Sequence, residues 1–186
     1  MVGGEPTTIE NFPYIVALTY TYTGPGITVQ RCVGCLLSSW HVMTSGFCFT
    51  LSGGFLVGIS RVIKHPDYLE TPRRADMAIN ILGQPLAMSN VINVLYLPPQ
   101  DTFIPDGQQA KVIGGPQLEI LKTINLFKLG LAECQGIYSD KPEAAEITEM
   151  VGISSYFHEC GNDDVPDVFT RVDTYTDWIL GVATAP

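Results

Sequence analysis

Positive charge is scarce in this chain. Ten lysines and arginines stand against 19 aspartates and glutamates, a formal net charge of -9. Such a field repels polyanions, which argues against nucleic acid and anionic membrane as partners. No apolar run reaches the roughly 18 residues of a spanning helix, and the opening Met1-Val2-Gly3-Gly4-Glu5 lacks the basic and apolar regions of a signal peptide. An Asn-x-Ser/Thr sequon is also missing, so glycosylation gives no clue to compartment. Charged residues make up only 16% of the chain and hydrophobic ones 46%, a balance that excludes disorder and fits a compact soluble protein.

What is present points to short strands. The 18 glycines and 13 prolines supply many turns. Between them lie alternating or β-branched runs at Tyr14 to Tyr22, Phe55 to Ile63, Lys111 to Ile113, Thr123 to Leu129, Met150 to Phe157 and Val168 to Val172. The main helical signal comes last: Val172, Tyr175, Trp178, Ile179 and Val182 share one face of a helix beginning near Asp173-Thr174. Leu97-Pro98-Pro99-Gln100 suits a crossing between two halves. At 186 residues the chain can bury a core of its own, as one large domain or two small barrels. The physical expectation is an all-β, two-barrel body with a C-terminal helix.

Five cysteines, Cys32, Cys35, Cys48, Cys134 and Cys160, leave at least one thiol without an internal partner. Cys32-x-x-Cys35 has the spacing of half a zinc site or a redox pair. No second pair stands at ligand spacing, and Cys35 falls inside a strand-like run, so one structural disulfide and several buried thiols are expected, with no metal and no cofactor.

The motifs carry a family resemblance. Cys32 to Cys48 reads CVGCLLSSWHVMTSGFC, Met1-Val2-Gly3-Gly4 precedes Phe12-Pro13-Tyr14, and His65-Pro66-Asp67-Tyr68 precedes Asp76-Met77-Ala78-Ile79. Val151-Gly152-Ile153, Ser155, Cys160-Gly161, Val165 to Val172 and Trp178-Ile179 follow in order. This succession resembles the trypsin- and chymotrypsin-like serine proteases from end to end, with IVGG, TAAHC, HPNY, DIAL, VGVVSWG and PGVYTRV as the corresponding family strings. The resemblance implies a trypsin-like two-barrel fold: a first barrel over about 1-97, a second over about 98-171, truncated, and a C-terminal helix over about 172-183. It also implies a disulfide from Cys32 to Cys48, whose closed loop would contribute about 3 kcal/mol.

Departures from the family pattern fall where its chemistry would be. Phe47 holds the position of the general base, and a phenyl ring neither takes nor releases a proton. After Ile147-Thr148-Glu149-Met150, which resembles VTDNM, the chain passes directly to Val151-Gly152-Ile153, without the specificity-pocket base or the GDSGGP nucleophile motif. No G-x-S-x-G string occurs elsewhere. Of the triad only the aspartate position, Asp76, is kept. The same loss takes the family partners of Cys134 and Cys160 and the aspartate that receives the N-terminal ammonium, so Met1 is expected near the surface. Ser155-Tyr156-Phe157 occupy the Ser-Trp-Gly edge of the substrate cleft, where Phe157 would fill the entrance, and Asp167 replaces a pocket-wall glycine.

Other residues do not rebuild a catalytic centre. His41 is expected to be packed or hydrogen-bonded in a strand, His65 to lie in a surface turn, and His158 to sit beside the degraded pocket. Ser154 and Ser155 are expected as strand residues with nothing placed to take their proton. The expectation is therefore a secreted, monomeric, non-catalytic homologue that binds a protein such as a protease, an inhibitor or another cascade component. An incomplete or mis-spliced product of an active protease gene is the alternative. An enzyme of another class, using the cysteines or a metal, is the third reading.

Overall fold

The structure is a computed structural model that describes residues 4-22, 24-46, 48, 57-70, 73-114, 120-139, 152-156 and 166-184. Strand β1 is the dipeptide Glu5–Pro6. Strands β2 (Ile15–Tyr22) and β3 (Ile27–Leu36) form a long hairpin, followed by β4 (His41–Thr44), β5 (Ile59–Lys64) and β6 (Ala78–Leu82). These five make one antiparallel sheet in the order β2-β3-β4-β6-β5.

The second half holds β7 (Gln109–Gly114), β8 (Lys122–Phe127), helix α1 (Leu131–Ile137), β9 (Gly152–Tyr156), β10 (Val168–Arg171) and helix α2 (Thr176–Ala183). Here β1-β8-β7 form one sheet and β10-β9 another, both antiparallel. The first strand of the chain thus pairs within the second half, Glu5 opposite Thr123. Helix α1 had no counterpart among the sequence signals, because it is only seven residues long, follows Gly130 and carries Gly136 within it.

Period-two alternation sends neighbouring residues to different cores. Val42 faces a cluster with Leu18, Leu36 and Leu82, against which Cys32 packs. Its neighbour Met43 joins Met77, Ile79 and Ile179, with Cys35, Ile153, Tyr175, Trp178 and Val182 packed around them. That second cluster fastens α2 and β9 onto β4 and β6. A third gathers Cys134 and Tyr138 with Leu129, Leu131 and Val168.

The crossing segment is tied to the start of the last helix. Thr176 Oγ1 donates to the Pro98 carbonyl at 3.0 Å, and Gln100 receives the Asp177 backbone N–H at 3.0 Å. Arg171 grips buried Asp173 through two nitrogens, at 2.8 and 2.5 Å, and reaches the Thr102 carbonyl at 3.0 Å. Gly152 allows β9 and β10 to touch: a Cβ there would stand 1.8 Å from the Thr170 carbonyl oxygen.

Candidate functional site

The chemistry-bearing residues converge where β4, the 73-76 segment and β9 meet. A tight turn delivers Asp76. Ala75 takes a left-handed φ of 45°, and the Met77 N–H donates to the Ala75 carbonyl at 2.7 Å, so the chain folds sharply about Asp76. A left-handed non-glycine residue is costly and persists where its surroundings hold it. Ala75 and Asp76 are both buried, and Met77 and Ile79 anchor the segment in the second cluster.

Strand β9 supplies the other side. Val168 pairs with Tyr156 but Phe169 pairs with Ser154, so Ser155 is the extra residue of a bulge, left out of the β9-β10 register. Its hydroxyl donates to Asp76 Oδ2 at 2.6 Å. Arg73 Nη1 lies 3.9 Å from the same oxygen and donates to the Ser155 carbonyl. Gly46 completes the corner: a Cβ on it would sit 2.8 Å from the Tyr68 ring and 3.2 Å from Asp76 Oδ1. Its bare backbone lets both close in. Burial pushes the Tyr68 phenol up, with the negative charge of Asp76 adding to it and Arg73 opposing it, while Lys64 Nζ stands 4.5 Å from the ring centre.

Two expectations are corrected. Ser155 does have an acceptor beside it, the Asp76 carboxylate, because the bulge turns its side chain inward. A carboxylate is a weak base, and this one lies between the hydroxyl and a guanidinium, so the contact reads as a structural hydrogen bond. His65 is not a surface residue. It is buried, with its ring 4.7 Å from both the Tyr175 and Trp178 rings, and its Nδ1 accepts the Asp67 N–H at 3.1 Å. Burial lowers its pKa, against a smaller opposing effect of Asp67.

The remaining residues are scattered. Cys32 and Cys48 form a disulfide. Cys35 lies three residues from Cys32 and hence on the opposite face of β3, in the second cluster, where burial pushes its thiol up to about 11. The two cannot act as a ligand or redox pair. Cys134 is buried at α1, and its thiol is pushed up by burial with Glu133 alongside. His41 is buried and its Nδ1 lies 2.8 Å from Ser38 Oγ. Ser154 and Asp167 are exposed. Tyr156 ends β9. Met1, Phe47, Met150, Phe157, His158, Cys160 and the side chain of Tyr156 lie outside the described residues.

Sequence reasoning missed Arg73, Tyr68 and Gly46 as members of this corner. The only signal for Arg73 was a cation three positions before an aspartate in a chain poor in cations.

Comparison with known proteins bears on the family and the fold. The family model described as Trypsin matches residues 1-141. "Trypsin, alkaline B" of Manduca sexta is 24% identical over 229 positions, covering 96% of this chain and 89% of the relative. "Trypsin 5G1" of Aedes aegypti is 25% identical over 230 positions, covering 98% and 85%. "Venom serine protease Bi-VSP" of Bombus ignitus is 24% identical over 241 positions, covering 95% and 66%. Against the first, 229 aligned positions meet a chain of 186 residues, so at least 43 positions stand opposite gaps in this chain. Among solved structures, one titled "Structure of GrC" superposes with a TM-score of 0.79 at 18% identity, covering 100% of both chains, which supports a trypsin-like, all-β fold.

Proposed function

The chain belongs to the trypsin family of serine proteases, and within it we propose a non-catalytic homologue that acts by binding another protein. The observation that carries this reading is the residue at the base position, Phe47, together with the lack of any GDSGGP or G-x-S-x-G string in the full sequence. Removing the serine or histidine of a related-mechanism protease lowers turnover by about a millionfold. Loss of the segment that builds the oxyanion site would remove the residual rate too. Partners of the expected kind are a protease, an inhibitor or a cascade component, met by a monomer outside the cell. The Cys32–Cys48 disulfide supports an oxidising compartment, and the venom protease among the relatives fits the same setting.

A fluorophosphonate probe tests the proposal. Purified protein is expected to remain unlabelled, and stoichiometric labelling of any serine, Ser155 included, overturns it.

The gap of at least 43 positions favours a second reading, an incomplete product of a protease gene. Sequencing the transcript across Met150-Val151 decides between them. A recovered GDSGGP segment supports truncation, and a continuous transcript supports the shorter protein. Phe47 predicts inactivity in either case.

A further inference from the structure

We infer that Arg73 is a clasp that closes the old catalytic corner: it joins the 73-76 segment to the β9 bulge and denies that bulge to an extended peptide. The bulge takes Ser155 out of the β9-β10 register, and its carbonyl accepts from a side chain of the first half. A carbonyl in that position is where an incoming strand would donate its first N–H. Arg73 already donates to it.

The same guanidinium answers a second need. Asp76 is 1% exposed, and a carboxylate so placed requires charge-bearing or hydrogen-bonding company. Ser155 gives its hydroxyl at 2.6 Å, and Arg73 brings positive charge to 3.9 Å. One arginine therefore serves both the buried charge of the first half and the bulged backbone of the second. Its side chain is 28% exposed, so the contact lies at the rim, where an entering ligand would meet it. Displacing Arg73 would uncover the carbonyl and weaken the compensation of Asp76 together, which makes entry doubly unfavourable. The corner is a closed joint.

The clasp is separate from the non-catalytic reading: fluorophosphonate on a serine other than Ser155 would end that reading and leave this one untouched, whereas labelling of Ser155 would end both. The test compares the full chain with Arg73→Met, which keeps much of the apolar stem, and Arg73→Lys, which keeps the charge but not the fork. Amide hydrogen exchange is read at Ile153 to Tyr156 and along β2-β3, and resonances are followed while millimolar acetyl-trialanine-methylamide is added. In Arg73→Met, exchange in β9 is expected to rise roughly tenfold with β2-β3 unchanged. The peptide is expected to move the Ser155 and Tyr156 amides most in that variant, less in Arg73→Lys and not in the unaltered protein. Unchanged exchange, a peptide that moves these amides equally in the unaltered protein, or one that leaves them still in Arg73→Met, each overturns the clasp. Should Arg73→Met fail to fold, NMR of guanidinium rotation in the unaltered protein replaces it. Slow rotation at Arg73 beside fast rotation at exposed Arg61 is expected, and equal rates overturn the inference.

Discussion

Ser155 gives its hydroxyl to Asp76 across 2.6 Å, with both residues withdrawn from solvent, so a strand of the second half is fixed to a turn of the first. Removing the hydroxyl leaves a buried carboxylate short of a donor. Ser155→Ala is expected to lower stability by about 1.5-3 kcal/mol, the usual range for a hydrogen bond to a charged group. Urea denaturation checks this, and a change under about 0.5 kcal/mol would show that solvent reaches Asp76.

Asn80 presents the opposite case. It is 1% exposed, pairs with Val42 across β4-β6, and has no hydrogen-bond partner among the described residues for either side-chain atom. An orphaned amide costs more than an apolar side chain of similar size. Asn80→Leu should raise stability by about 1-2 kcal/mol, read as a higher urea midpoint at unchanged slope. A lower midpoint would mean that the amide has a water partner.

Gly152 leaves no room for a side chain. A methyl group there would meet the Thr170 carbonyl, and backbone cannot step aside as a flexible side chain can. Gly152→Ala is expected to cost about 3 kcal/mol or more. Thermal unfolding within a few degrees of the parent would contradict the close approach of β9 and β10.

Acid should weaken the fold through His65 and His41. Burial lowers both imidazoles from the ordinary 6.5, so the folded protein resists a proton that the unfolded chain takes up near that pH. Below about pH 6.5 the unfolded state binds more protons, and stability falls as the pH drops; above it this contribution is constant. His65→Gln should flatten the decline between about pH 7.5 and 5.5. Urea midpoints of parent and variant at both ends measure it, and parallel declines would exclude His65 as a source.

Cys35 should be chemically quiet. With its thiol near 11, roughly one molecule in a thousand carries a thiolate at pH 8, and the side chain is packed in a core. Iodoacetamide is expected to modify it far more slowly in the native protein than in urea, by mass spectrometry of the Cys35 peptide. Equal rates would place it at the surface.

The sequence was most legible where one face is buried and the turns are plain. Tyr14 to Tyr22 contains β2, Val168 to Val172 contains β10, and the stripe from Val172 to Val182 overlaps a 3-10 turn at Asp173–Tyr175 and then α2. Less legible were β6, where Ala78–Leu82 is buried on both faces and shows no inside-outside alternation, and β5, which starts at Ile59. Long-range pairing had no local signal at all. Nothing around Glu5 announces Thr123, and nothing around Arg73 announces Ser155. Motif order located Asp76 and Ser155, while their contact depends on a bulge that only a folded strand pair can set.

The pairing of β1 with β8, and the packing of Ile179 against Met43, Met77 and Ile79, bear on how the polypeptide is made. Each half borrows its closing piece from the other. A ribosome extruding this chain would hold the amino-terminal sheet unfinished until Thr176–Ala183 had left the exit tunnel, so the first half cannot mature before the second is made.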